Sequence, residues 1–348
     1  MLEISSRSPL SATDSISVPK TTPASVDAIL IMNGSGAPIP TAKYINAVLP
    51  RFLTGFTSSI IAGVSTPEGL YPLTGVKDLT LNISLARGVT ILDNAINNVL
   101  GPGPSTKTVS VLGFSQSAIL SSLEMPKLLA EGYNSTNASF TLIGNPANPN
   151  GGLFARFPGL NLPSLGLTFG TSTPSNDFPT TIWTLEYDGF ADFPKYPINV
   201  LSDLNALTGI VYGHLTYPSL TQSQLNSAIQ LAQSGAPSMT DYYMIPSKSL
   251  PLLEPLRAIP FIGNPLADLI QPDLRYLINW GYGDINYGWS TTPADVQTPF
   301  GFLPPWETTG AILGPALIQG TGQGINAFVA DLAAQLPTAP PTLPIAPS

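Results

Sequence analysis

The stretch TVSVLGFSQSAILSSLEMPKLLA, residues 108–130, decides the fold. TVSVL is a run of β-formers, and Gly113-Phe114-Ser115-Gln116-Ser117 follows it without a gap. A helical pattern then runs from about Ser117 to Ala130. Strand, tight turn and helix in that order are the setting of a nucleophile elbow, which holds a serine at the top of a sheet. Small residues are needed on both sides of the turn, because strand and helix pack closely there. Ser117 stands where a second glycine is usual. The bare pattern Gly-x-Ser-x also begins at Gly63, Gly103, Gly170 and Gly288, but none of those sits between a clear strand and a helix. An ordinary turn or N-cap serine is the plainer reading of Ser115; its setting favours the nucleophile.

The same rhythm extends outward on both sides. DAILIMN (27–33) and SSIIAGV (58–64) read as strands, with TAKYINAVLPRF (41–52) as a helix between them. In DLTLNISLARGVTILDNAINNVL (78–100), apolar residues at 79, 83, 85, 89, 92, 96 and 99 keep close to a helical period. SFTLIGNP (139–146) and TTIWTLEY (180–187) add two strands. Strands alternating with helices predict an α/β fold with a parallel sheet covered on both faces. Ligands of such sheets bind beyond the carboxyl ends of the strands. After about residue 215 the rhythm fades. Residues 237–310 are dense in Pro, Gly and aromatics and read as an appended, lid-like layer on a single domain spanning 27–336. Residues 1–26 lack an apolar core segment and read as a polar leader rather than a signal peptide. Residues 337–348 form a Pro-rich tail. No internal repeat is present, and no apolar run reaches the ~20 residues of a membrane span.

Composition narrows the function classes. Gly (31) and Pro (37) together make about one residue in five of 348, yet only 10% of residues are charged and 43% are apolar. That balance describes a large apolar core crossed by shaped loops, not a disordered chain. With 13 Lys and Arg against 21 Asp and Glu, the net charge of −8 argues against nucleic acid as a partner. The absence of cysteine removes disulfides, thiol catalysis and cysteine metal sites. One histidine and no cysteine support no metal site, and no cofactor is expected. Gly320-Thr321-Gly322-Gln323-Gly324 lacks the preceding strand and following acid of a dinucleotide fingerprint. The sequons at Asn82, Asn134 and Asn137 carry little weight by themselves.

A serine hydroxyl needs a general base, and His214 is the one imidazole in the chain. It follows the serine in the order Ser, acid, His. Asp188 directly follows TTIWTLEY and would emerge at the same sheet edge as Ser115. There it would fix the histidine tautomer and stabilise the imidazolium. Asp192 is the rival acid, four residues on. Glu186 should point away if the strand continues to it, and Asp203 falls inside a predicted helix. One oxyanion donor is the backbone N–H after the nucleophile, that of Gln116. The other is expected in the Gly-rich loop Asn33-Gly34-Ser35-Gly36, at Ser35. A plain βα turn would also use such glycines.

With these residues in place, the chain resembles the PE-PPE-domain family of mycobacteria and their relatives, cutinase-like α/β-hydrolases. The resemblance covers about 27–310. It rests on NGSGAPIPTAKYINAV (33–48), LNISLARGVTILDNAI (81–96), GFSQSA (113–118) and GNPANPNGGLFARFP (144–158). EYDGFADFPKYPINVLSDLNALTGIVYGHLTYP (186–218) and LPLLEPLRAIPFIGNPLADLIQPDLRYLINWGYG (250–283) extend it. The family's elbow carries Gly-x-Ser-x-Ser, and its acid and base fall where Asp188 and His214 stand. No PE or PPE leader is recognisable, and the disulfides usual in cutinases are absent.

The resemblance implies acyl-ester chemistry on a lipid ester or acylated-sugar substrate, in the cell envelope or outside the cell, with peripheral membrane association open. It favours narrowly the transfer of fatty acyl groups between acylated trehalose-type glycolipids, with plain ester hydrolysis close behind. Trp280, Trp289 and Trp306 are placed to pack on lipid or sugar. A non-catalytic lipid- or glycan-binding member is the reading of another class, and a glycosidase on Asp188 and Asp192 a further one.

Overall fold

The computed structural model describes residues 24–335. The Pro-rich tail and all of the polar leader but its last three residues lie outside the described residues. Seven strands form the main sheet: β1 (Ala28–Ile31), β2 (Ile61–Gly63), β3 (Val109–Phe114), β4 (Ala138–Ile143), β5 (Thr180–Leu185), β6 (Ile229–Gln230) and β7 (Thr240–Ile245). Their spatial order is β6-β7-β5-β4-β3-β1-β2. Every neighbouring pair is parallel except β6 with β7. The chain therefore moves outward from β1 to β2, then restarts on the other side of β1 with β3. That reversal places the loops after β1 and β3 side by side at the carboxyl edge, where an open α/β sheet forms its crevice. Ala24–Ser25 pair in parallel with Phe56–Thr57, so ordered pairing begins inside the segment read as a leader.

Both sheet faces are covered. Alternate residues of β1 divide between them, Ala28 and Leu30 entering one core, Ile29 and Ile31 the other. The first core is closed by α2 (Leu81–Leu100) and α3 (Gln116–Ala130), through Leu92, Ile96, Leu120 and Leu128. The second is closed by α1 (Ala42–Phe52), through Val48 and Phe52, and by Tyr217. Gly88 lets α2 approach α3, since a Cβ there would stand 2.7 Å from Leu120. Burial on both faces explains why the strands read as near-continuous apolar runs.

The region 237–310 is not wholly an appended layer. Thr240–Ile245 is β7, an inner strand of the sheet pairing with β5 from Thr180 to Leu185. Its sequence TDYYMI holds a surface Asp, and the Pro- and Ser-rich flanks hid it. The remainder joins α4 (Val200–Tyr212) and α5 (Gly263–Trp280) through Leu201, Leu250, Leu253 and Ile278. A final helix, α6 (Trp306–Gln335), crosses α5 at Gly320 and Gly324. A Cβ on Gly324 would lie 1.9 Å from the Leu269 carbonyl, so this glycine run serves helix packing. No helix among the described residues is long and apolar enough to cross a membrane.

Candidate active site

Ser115 alone makes the turn between β3 and α3. Its φ of +57° and ψ of −117° fall where side chains are disfavoured, and strain of this kind marks a residue held for a purpose. Gly113 admits no side chain, because its Cβ would stand 2.6 Å from the Ser117 carbonyl oxygen. Ser117 is more than a tolerated replacement for glycine. Its Oγ accepts from the Phe114 N–H at 2.8 Å and donates to the Phe114 carbonyl at 3.0 Å, tying the two arms of the elbow.

Ser115 Oγ lies 2.8 Å from His214 Nε2. His214 Nδ1 lies 2.8 and 2.9 Å from the two oxygens of Asp188. An Nδ1–H donated to this carboxylate leaves Nε2 free to accept the serine proton. Asp188 is fully buried, and its charge is met by donors. Phe190 N–H donates to Oδ1 at 3.0 Å and the Tyr217 hydroxyl to Oδ2 at 2.9 Å, while Tyr217 itself accepts from Leu185 N–H at 2.8 Å. The imidazole is stacked on Phe114, centroids 5.0 Å apart, and meets the edge of Phe190 at 4.8 Å. Gly144, at φ +54°, makes room for it, since a Cβ there would stand 3.0 Å from His214 Cε1. Gly144 and Tyr217 were not singled out from the sequence. Gly144 closes a strand like many other glycines, whereas a tyrosine three residues after the only histidine was a usable signal.

The loop after β1 reaches the elbow from the neighbouring strand. Gly34 packs so close that its Cβ would meet that of Ser115 at 2.9 Å. Gly34 N–H is taken by Asn33 Oδ1 and Gly36 N–H by the Glu68 carbonyl, both within 2.9 Å. The N–H groups of Ser35 and Gln116 have no hydrogen-bond partner among the described residues. The two loops are tied together by side chains. Ser35 Oγ donates to Gln116 Oε1 at 2.8 Å, and Gln116 Nε2 donates to Ser84 Oγ on α2.

The structure does not bring Asp192 to the imidazole. Its Oδ2 accepts from Tyr187 N–H at 3.0 Å, and its own N–H donates to the Asp188 carbonyl, closing the acid turn. Burial pushes the Asp192 carboxyl well above the usual carboxylate range, while Arg156 draws it back. Glu186 points away, accepting from the N–H groups of Ser247 and Gly288, and Asp203 sits in the first turn of α4. Tyr187, at φ +67°, anchors the turn through its hydroxyl, which donates to Asn279 Oδ1 on α5 at 2.6 Å. Trp289 is buried beside Tyr287. Trp280 and Trp306 instead line an open apolar groove with Ile198, Val200, Leu277 and Leu303.

Comparison with known proteins adds to this geometry. A family model described as the PE-PPE domain matches residues 58–283. The uncharacterized PPE family protein PPE28 of Mycobacterium tuberculosis is 48% identical over 306 residues, covering 87% of this chain and 46% of that protein. Esterase PE16 of the same organism is 45% identical over 280 residues, covering 79% and 51%. Diacyltrehalose acyltransferase Chp2, also of M. tuberculosis, is 27% identical over 307 residues, covering 82% of each. The chain spans about half the length of PPE28 and PE16.

Proposed function

The chain belongs to the PE-PPE domain family, and on that premise we propose that it is a serine acyl-ester enzyme acting on lipid esters of the cell envelope. The observation that carries the reading is the unbroken path from Ser115 Oγ through His214 to buried Asp188, at 2.8 Å on each side of the imidazole. Ser115 Oγ attacks the ester carbonyl while His214 Nε2 takes its proton. The open N–H groups of Ser35 and Gln116 receive the developing oxyanion, which backbone donors fixed in advance stabilise most. Collapse breaks the bond to the leaving alcohol, and His214 returns the proton to it. The acyl group then rests on Ser115, and His214 activates the hydroxyl that removes it.

Water as that hydroxyl makes the protein an esterase, the reading favoured by 45% identity to a protein named Esterase PE16. A sugar hydroxyl makes it a transferase that moves fatty acyl groups between acylated trehalose-type glycolipids. Similarity to Diacyltrehalose acyltransferase Chp2 along 82% of both chains supports this second reading. The groove beside Trp280 and Trp306, with no charged residue in its lining, suits an acyl chain in either case.

Two measurements test the proposal. A fluorophosphonate probe should label Ser115 in folded protein; failure to label would return the chain to a lipid- or glycan-binding role. Mass spectrometry of products from a diacyl trehalose separates the two acceptors. Free fatty acid alone means hydrolysis, and a more highly acylated trehalose means transfer.

A further inference from the structure

We propose that Glu68 is a positioning residue for the oxyanion loop, holding Ser35 in place only while its buried carboxyl carries a proton. The inference rests on the serine acyl-ester reading above.

Among the described residues, four that are not glycine adopt positive φ: Ser115, Tyr187, Glu68 and Phe261. The first two shape the elbow and the acid turn. Glu68, at φ +51°, sits in the loop that faces Ser35. Its carbonyl accepts from Gly36 N–H at 2.8 Å, and the next residue, Gly69, donates its N–H to Ser84 Oγ at 2.9 Å. With the bonds from Ser84 to Gln116 and from Gln116 to Ser35, these contacts close a ring. The ring runs through four segments: the loop after β1, the start of α3, α2, and the loop at 66–69. Ser35 and Gln116, the two proposed oxyanion donors, are both members of it. Glu68 is the one ionisable side chain at its joints.

That side chain is 1% exposed. Thr66 Oγ1 donates to its Oε1 at 2.6 Å, and Oε2 has no partner among the described residues. The ionisable groups around it are acids. Tyr44 faces it from α1, and Asp78 stands against Gly69 on the outer side. Ser84 on α2, Gln116 on α3 and Ser35 on the loop after β1 carry no charge, and no cation pairs with Glu68 among the described residues. Burial accordingly pushes the carboxyl up to about 8, with the Thr66 bond opposing. A charge forming at this depth is relieved by turning the side chain towards water. The backbone at Glu68 turns with it, Gly36 loses its acceptor, and the ring opens beside Ser35.

The test compares wild type with Glu68→Gln, Glu68→Ala and Thr66→Val. It reads kcat/KM for a soluble short-chain p-nitrophenyl ester and the rate of fluorophosphonate labelling, from about pH 6 to about pH 10. Wild type should fall about tenfold per pH unit above roughly pH 8. Glu68→Gln, neutral at every pH, should stay within about twofold of wild type at neutrality and remain flat above it. Glu68→Ala should be slow throughout. Thr66→Val removes the one donor to the carboxyl, so it should move the alkaline limb to higher pH, an arm that needs no change at Glu68. A wild-type profile flat to pH 10, an unchanged limb in Glu68→Gln, or an unmoved limb in Thr66→Val would each overturn the inference. No labelling at any pH in any protein would overturn the acyl-ester reading, and this inference with it.

Discussion

At the scale of single residues, each member of the triad fails in its own way. Ser115→Ala and His214→Ala should remove nearly all turnover. Asp188→Asn keeps the shape but presents an amide to Nδ1, so the imidazole loses its tautomer and kcat should fall on the order of 10,000-fold. Full activity in Asp188→Asn with collapse in Asp192→Asn would move the acid to Asp192. Tyr217→Phe is a finer probe. It removes one donor from Asp188 and leaves Leu185 N–H without its acceptor. A loss of about tenfold, ~1.4 kcal/mol, is expected in kcat; an unchanged kcat would show that the tyrosine does not hold the carboxylate. The proposed triad was legible because its residue types are scarce and their order is constrained: one histidine, one serine between a strand and a helix, one aspartate at a strand end. Gly144, Ser84 and Glu68 were not, because they matter through space, whereas Tyr217, three residues after the only histidine, could have been found. Ser84 lies 32 residues from the Gln116 side chain it meets, and nothing local in either segment announces the pairing.

At the scale of elements, the strands and helices around the elbow read correctly because burial on both faces of a parallel sheet writes long apolar runs into the sequence. β7 escaped because Tyr242, Met244 and Ile245 are buried while Asp241 is exposed, an alternation too short to stand out between loops. Helix α4 carries an exposed apolar stripe. Val200, Leu204, Leu207 and Val211 are exposed by 45–64%, and at 100° per residue they share an arc of roughly 60°. Leu215, next to His214 in the chain, is 68% exposed. At its Val200 end the stripe enters the groove of Trp280 and Trp306. Replacing Leu207 and Val211 together by Ser should leave turnover of a soluble short-chain ester within about twofold and lower that of a dispersed long-chain ester about thirtyfold, since each lost side chain is worth on the order of 1 kcal/mol of apolar contact. Equal losses on both esters would mean a damaged fold rather than a lipid-facing helix.

At the scale of the whole molecule, the region after residue 237 acts as a brace for the acid turn, and one buried cation joins the parts. Arg156 is fully buried. Its Nε donates to the Phe193 carbonyl at 3.1 Å, and its Nη1 to Asn150 Oδ1 at 3.3 Å and the Thr298 carbonyl at 2.7 Å. Its own carbonyl accepts from Phe300 N–H at 2.9 Å. Three segments distant in sequence thus meet on one side chain: the loop after β4, the acid turn and the stretch around residue 298. Asp192 is the carboxyl that acts on it most strongly, though no ion pair joins the two among the described residues. Burial pulls the guanidinium down to about 10 and pushes the carboxyl up, while each draws the other back towards its charged form. One oxygen of Asp192 and one nitrogen of Arg156 have no partner among the described residues, so the pair is held at some distance. Removing Asp192 leaves the guanidinium buried without the carboxyl that favours its charge, and removing Arg156 leaves a carboxyl that takes a proton and three acceptors without their donor, each at a cost of about 3 kcal/mol. Removing both takes away the mutual part of that cost. Arg156→Met and Asp192→Asn should therefore each lower unfolding free energy in urea by about that amount, and the double variant by clearly less than their sum. Strict additivity would mean that the two charges do not sense each other, and that the brace rests on the carbonyl bonds of Arg156 alone.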